Sequence, residues 1–209
     1  MLCTLLVQIL GACCLGALIV GFAAGHRMAP SRAGPAKVVA SRDPGRWTEV
    51  VWVAGTLVSV LWPVGVLVLP EYAYHWPGFA DFPGSGAVQL AGFVAALAGG
   101  LLFFGAARAL GRHMTPAIQV QEGHRLVEEG PYRYVRHPVY TAIITGAGGL
   151  AALFLSPVLA GVVLVLVGLA LYRARLEEQL LSSPEGFGQL YLGYVARTGR
   201  FLPRIRSGP

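Results

Sequence analysis

"VVWVAGTLVSVLWPVGVLVL", residues Val50 to Leu69, runs for twenty residues without a charge. A helix needs about 20 mainly apolar residues to cross the hydrocarbon core of a bilayer. This stretch therefore reads as a membrane span, with Pro63 expected to kink it. Two further runs read the same way, Leu2 to Ala24 and Ala87 to Ala107. The first of them lacks the basic flank of a signal peptide and is long for the apolar part of one. Two shorter runs follow, Val139 to Leu155 and Pro157 to Leu171, separated only by Ser156. They read as a tight helical hairpin, with Pro157 starting its second helix. Composition agrees: of 209 residues, 55% are hydrophobic and 12% are charged, against roughly 25% charged in a soluble domain.

The charges order these runs. Arg27, Arg32, Lys37, Arg42 and Arg46 lie between the first and second runs. Between the second and third lie Glu71 and Asp81, with no Lys or Arg. Arg108, Arg112, Arg125, Arg133 and Arg136 lie between the third and fourth, and none lies at the hairpin tip. The other six basic residues, Arg173, Arg175, Arg197, Arg200, Arg204 and Arg206, follow the fifth. Basic loops stay in the cytoplasm. The expectation is an all-α, multi-pass membrane protein with five transmembrane helices, its N-terminus outside and its C-terminus cytoplasmic. Residues 1–110 would hold three spans and a basic loop, and residues 111–209 the functional region. The net charge of +6 is spread between apolar runs, not gathered into a stripe, which argues against nucleic acid. Cys3, Cys13 and Cys14 show neither metal-ligand spacing nor a plausible disulfide.

Polar chemistry gathers in two places. One is "GPYRYVRHPVYTA", Gly130 to Ala142; the other is "YRARLEEQLLSSPEGFGQLYLGYVARTGRFLP", Tyr172 to Pro203. A hairpin would return both to one face, with His137 at its entry and Arg173 at its exit. Arg133, Arg136, His137 and Arg173 favour an anionic group, whereas Glu177 and Glu178 favour a cationic one. A zwitterionic small molecule would use both. The competing reading is that such arginines and tyrosines only anchor helix ends at headgroup level. "AIQVQEGHRLV", Ala117 to Val127, alternates apolar and polar residues and suggests a short hairpin. Ser31 to Arg46, rich in Pro, Gly, Arg and Ser, reads as a mobile loop.

"RHPVYTA" at Arg136 to Ala142, preceded by "HRLVEEGPY" at His124 to Tyr132, resembles the isoprenylcysteine carboxyl methyltransferase and phospholipid methyltransferase superfamily. "EEQLL" at Glu177 to Leu181, "FGQLY" at Phe187 to Tyr191, Tyr194, and "RFLP" at Arg200 to Pro203 extend the resemblance in the same order. It covers about Gln119 to Pro203. It implies an integral membrane enzyme, with its site on the cytoplasmic side, that uses S-adenosylmethionine (SAM). SAM would be held by His124, Arg125, Leu126 and Val127, by Tyr132, by His137, Pro138, Val139 and Tyr140, and by Glu177. An upstream glutamine, Gln119 or else Gln121, would join them. Arg173 would serve the methyl acceptor. Ala142, where prenylcysteine enzymes usually carry glycine, departs from the pattern, as does the longer segment from Glu177 to Phe187.

Chemistry narrows the roles. An acceptor carboxylate, with a pKa near about 3.5, is already ionised and needs only a cation to hold it. An amine acceptor would need a base, Glu177 or Glu178. The expectation is methyl transfer to a lipophilic acceptor entering from the bilayer among membrane lipids, most directly an isoprenylcysteine-like carboxylate. The alternatives are an NADPH-dependent enzyme of the sterol-reductase kind, which shares a related Arg-His-Pro-x-Tyr region, and a non-catalytic membrane scaffold.

Overall fold

In the computed structural model, residues 2, 4–28, 37–69, 82–115 and 117–204 are described. Among them lie six α-helices: α1 (Thr4–Met28), α2 (Arg46–Val68), α3 (Ser85–Leu110), α4 (Pro138–Leu153), α5 (Pro157–Ser182) and α6 (Gln189–Arg197). The two strands are β1 (Val38–Arg42) and β2 (Ile118–Gln121). Helices α2, α3 and α5 are long and apolar enough to cross a membrane; Leu5–Ala17 within α1 and α4 are shorter apolar helices. The described residues are mostly helical, and three of their helices are candidate membrane spans. Each expected apolar run became a helix. Pro63 lies buried inside an uninterrupted α2.

Among the described residues, the helices approach most closely where α3 meets α4. Gly92 and Gly99, which lack a side chain, and Ala96, with only a methyl group, let the α3 backbone approach Ala142, Gly146 and Gly149. A Cβ added to Gly99 would lie 2.5 Å from the Gly146 nitrogen, and one on Gly149 would lie 2.6 Å from the Gly92 oxygen. Lipid offers little hydrophobic drive between apolar helices, so close backbone approach through small residues supplies the dispersion contact instead. The sequence paired α4 with its hairpin partner α5. The hairpin exists, capped by Ser156, whose Oγ accepts from the Leu159 amide at 3.3 Å, yet α4 fits most intimately against α3.

Helix α5 runs eleven residues past Leu171, where its apolar run ends. Leu, Arg, Glu and Gln are good helix formers, so hydropathy stops while the helix continues. Arg173, Glu177 and Glu178 therefore stand on the same rigid rod as the span. Deeper in the bundle, Val7, Val66, Leu150, Leu153, Phe154 and Leu159 form an apolar core. Buried Gln89 crosses it, accepting from the Leu2 amide at 2.8 Å and donating to the Leu153 carbonyl at 3.0 Å.

The mostly helical fold agrees with the all-α expectation, to which β1 and β2 add one short antiparallel pair, with Ser41 opposite Gln119 and Arg42 opposite Ile118. Ser31 to Arg46 was expected to be a mobile loop, but Val38–Arg42 is a strand; residues 29–36 lie outside the described residues. Nor does Ala117 to Val127 form a hairpin with itself. A turn follows β2, closed by the His124 amide on the Gln121 carbonyl at 3.0 Å. The reason is packing. Ile118 and Val120 bury one strand face beside Leu176, Leu180 and Leu181 of α5. The ladder edge that remains is taken up by β1.

After α6 the chain turns back as a strap. The Arg136 amide donates to Gly199 O at 2.9 Å, the His137 amide to Arg200 O at 3.1 Å, and the Gly199 amide to Tyr134 O at 3.2 Å. Thr141 Oγ1 donates to Phe201 O at 2.9 Å, and Tyr194 OH to Tyr132 O at 2.6 Å. The C-terminal motif thereby fixes the backbone leading into α4.

Candidate active site

His137 precedes α4 as its N-cap residue and is 5% exposed. Its ring lies between two carboxylates: Nδ1 is 3.3 Å from Glu177 Oε2, and Nε2 is 3.2 Å from Glu178 Oε1. Consecutive helix residues point about 100° apart, so one helix can hold both edges of the imidazole. Burial acts to lower the His137 pKa, but hydrogen bonds and charge from Glu177 and Glu178 outweigh it and raise the value above the ordinary one. With both nitrogens facing carboxylates, the imidazolium is the form this geometry favours.

The two glutamates then diverge. Glu178 Oε1 also accepts from Arg136 Nε at 3.0 Å, and its Oε2 accepts from Arg200 Nη2 at 2.6 Å. Arg136 in turn donates to the Thr198 carbonyl at 2.6 Å. Glu178 is thus the anionic centre of a knot that ties α5 to the loop before α4 and to the C-terminal strap. Glu177 accepts from Tyr140 OH instead. Tyr140 OH also accepts from Arg173 Nε at 3.4 Å, and Arg173 Nη1 donates to Thr48 Oγ1 at 3.1 Å. A line of polar contacts runs from His137 through Glu177 and Tyr140 to buried Arg173, which is 5% exposed, and on to α2. Helical spacing makes this possible: Arg173 and Glu177 are one turn apart on α5, and His137 and Tyr140 one turn apart at the head of α4.

The remaining predicted residues lie on the elements leading into this cluster. Gln119 is half-buried on β2. Beyond the turn, Arg125 is exposed and Leu126 and Val127 are half-buried. His124 stacks on His113, with centroids 4.4 Å apart, and meets the Phe187 ring edge-on at 5.6 Å. Burial first, then the charge of His113, lowers the His124 pKa. Tyr132 is buried in the 3-10 turn Gly130–Arg133, and its pKa is raised by burial and by the nearby Glu177 charge. Pro138 is buried at the first position of α4, and Val139 is half-buried beside it.

The residues fit SAM in kind. SAM carries cationic sulfonium and ammonium groups, an anionic carboxylate and an aromatic base. Glu177, part-exposed at 27%, offers a carboxylate. Tyr132 and Tyr140 offer rings beside it. His124 Nδ1 is buried without a hydrogen-bond partner, a cost usually relieved by a ligand or water. Among the described residues, no group of three His, Cys, Asp or Glu side chains is arranged to hold a metal ion.

Sequence reasoning missed two participants. Arg200 lay within a quoted motif, and its ion pair with Glu178 was the unread part. Thr48 belongs to no motif and carried no signal.

Fold and site together define a helical membrane protein with a buried His–Glu–Tyr–Arg cluster where its apolar helices meet its polar segments. Residues 90–183, from α3 to just past the end of α5, match the isoprenylcysteine carboxyl methyltransferase family, and the resemblance read from the sequence is borne out there. A protein-S-isoprenylcysteine O-methyltransferase of Rattus norvegicus is 27% identical over 158 residues, 75% of this chain and 49% of that protein. A protein of the same name from Mus musculus is 34% identical over 84 residues, 40% of this chain and 29% of that one. The chain thus spans about half the length of the rat relative it matches.

Proposed function

We propose that this protein is an integral membrane methyltransferase that uses SAM to methylate a lipophilic acceptor, an isoprenylcysteine-like carboxylate being the best fit. The observation that carries the reading is the contact line His137–Glu177–Tyr140–Arg173, built inside the segment that matches the family. Bound here, SAM would supply a methyl group from its sulfonium for in-line transfer. The protein's part is alignment and electrostatics. Glu177 and the Tyr132 and Tyr140 rings suit the cationic part of the cofactor, with Gln119 and the His124–Val127 segment reaching it from β2 and the turn. Arg173 holds the acceptor carboxylate in a dry setting, where one charged pair counts for more than in water. Glu178 holds its neighbours in place: Arg136, His137 and Arg200 already engage its oxygens, which leaves it poorly suited to take a proton. The lipid tail enters between helices from the bilayer.

Calorimetry in detergent tests the cofactor assignment. The wild-type protein is expected to bind SAM and not NADPH. His137→Ala and Glu177→Ala should each weaken SAM binding by about tenfold or more, the scale of a lost charged hydrogen bond, while leaving a folded protein. Unchanged affinity in both variants would refute the assignment.

We read the topology as five spans, with α1 and α4 completing the three long ones, the N-terminus outside and the cluster on the cytoplasmic side. The one-sided placement of all 16 basic residues supports this. Single cysteines placed at Gly84 and at Ser207 in a cysteine-free background should label from opposite sides. Labelling from one side would require an even number of spans between them and end the five-span reading.

A further inference from the structure

Resting on that reading, we infer that Thr48, in the first turn of α2, is a positioning residue that orients Arg173 toward the acceptor. Thr48 is fully buried. Its hydroxyl donates to the Gly45 carbonyl at 2.8 Å, which turns a lone pair toward Arg173 Nη1 at 3.1 Å. The hydroxyl is therefore held in the orientation that accepts from the guanidinium.

The turn that carries Thr48 is itself fixed. Gly45 takes a positive φ of 86°, and its amide donates to Asp43 Oδ1 at 2.7 Å. Just before that turn, β1 pairs with β2, with Ser41 opposite Gln119. One short stretch, Val38 to Thr48, thus ties the strand that carries the proposed cofactor glutamine to the arginine proposed for the acceptor. One helical turn further, Trp52 meets Tyr140 edge-on at 5.4 Å, so α2 contacts both the arginine and the tyrosine that bridges it to Glu177. Thr48 and Tyr140 hold the guanidinium from two sides through Nη1 and Nε. That fixes the plane of the fork, which is what a two-bond grip on a carboxylate needs. Thr48 lies outside the segment matched to the family.

The test uses the full chain in detergent with a prenylcysteine acceptor. Thr48→Val keeps the shape and removes the hydroxyl, and Thr48→Ser restores it. Thr48→Ala beside them separates a valine packing effect from loss of the hydroxyl. Thr48→Val and Thr48→Ala are expected to lower acceptor kcat/KM about tenfold, the scale of one hydrogen bond to a charged group. SAM affinity should stay at the wild-type level, Tm should fall by no more than a few degrees, the scale of one buried hydrogen bond, and Thr48→Ser should recover both turnover and Tm. Combined with Arg173→Lys, Thr48→Val should add little, because the two act as one unit. Wild-type turnover in Thr48→Val, SAM affinity falling in step with turnover, or losses that multiply with Arg173→Lys would overturn this inference alone. A wild-type protein that binds SAM yet methylates no acceptor would overturn the functional reading, and the inference with it.

Discussion

Gly149→Val is expected to abolish stable folding. A Cβ at Gly149 would press on the Ala96 backbone nitrogen and lie 2.6 Å from the Gly92 carbonyl oxygen. Both obstacles are backbone of α3, so no side chain can rotate away, and the helices must part. Overpacking a core costs about 1–3 kcal/mol where side chains can adjust. Here the whole α3–α4 seam is lost, so the penalty should exceed that range. The damage would reach the site, because α4 carries Tyr140 and is capped by His137. Gly148→Val is the control, since a Cβ there meets nothing within 4 Å. Thermal unfolding and size-exclusion chromatography in detergent should show the control near wild type and Gly149→Val aggregated or strongly destabilised. Equal Tm values for the two variants would mean that α3 and α4 are not packed as described.

Arg173→Lys should retain SAM binding and lose methyl transfer by roughly a hundredfold, the upper scale for hydrogen bonds to a charged group. A guanidinium reaches Tyr140 through Nε and Thr48 through Nη1 at once. A lysine ammonium keeps the charge but is a single point, unable to meet two fixed partners and grip a planar carboxylate together. The competing role is a long side chain that only anchors the helix end, and lysine would serve that equally well. At 5% exposure the residue is placed more like a site group than an anchor. Turnover should be followed over prenylcysteine, phospholipid and thiol acceptors beside a SAM titration. Wild-type turnover in Arg173→Lys on the best acceptor would return the residue to the role of anchor and leave the acceptor site without its cation.

Much of the site was legible because its residues sit in compact linear motifs. His137 and Tyr140 share one turn of chain, Arg173 and Glu177 share another, and the hairpin between them was readable from two apolar runs joined at Ser156. Their partners were less so. Glu178 looked like a candidate base. Its engagement by Arg136, His137 and Arg200 depends on the strap that brings residue 200 back to the head of α4, and nothing local announces that return.

The sequence by itself determined which segments are apolar helices, since hydropathy is a local sum that later packing does not reverse. It also marked the short motifs whose residues the fold brings together in the candidate site. Only the tertiary structure decided partners. The small residues Gly92, Ala96 and Gly99 were present at helical spacing, yet spacing alone does not say which neighbouring helix they admit. The strand β1 lies in a stretch whose composition reads as loop, and it becomes a strand because Ile118 and Val120 bury one face of β2 and leave an edge to be paired. Thr48 reaches Arg173 across 125 positions of chain. A hydrogen bond depends on where two atoms meet in space, and that meeting follows from the packing of whole helices.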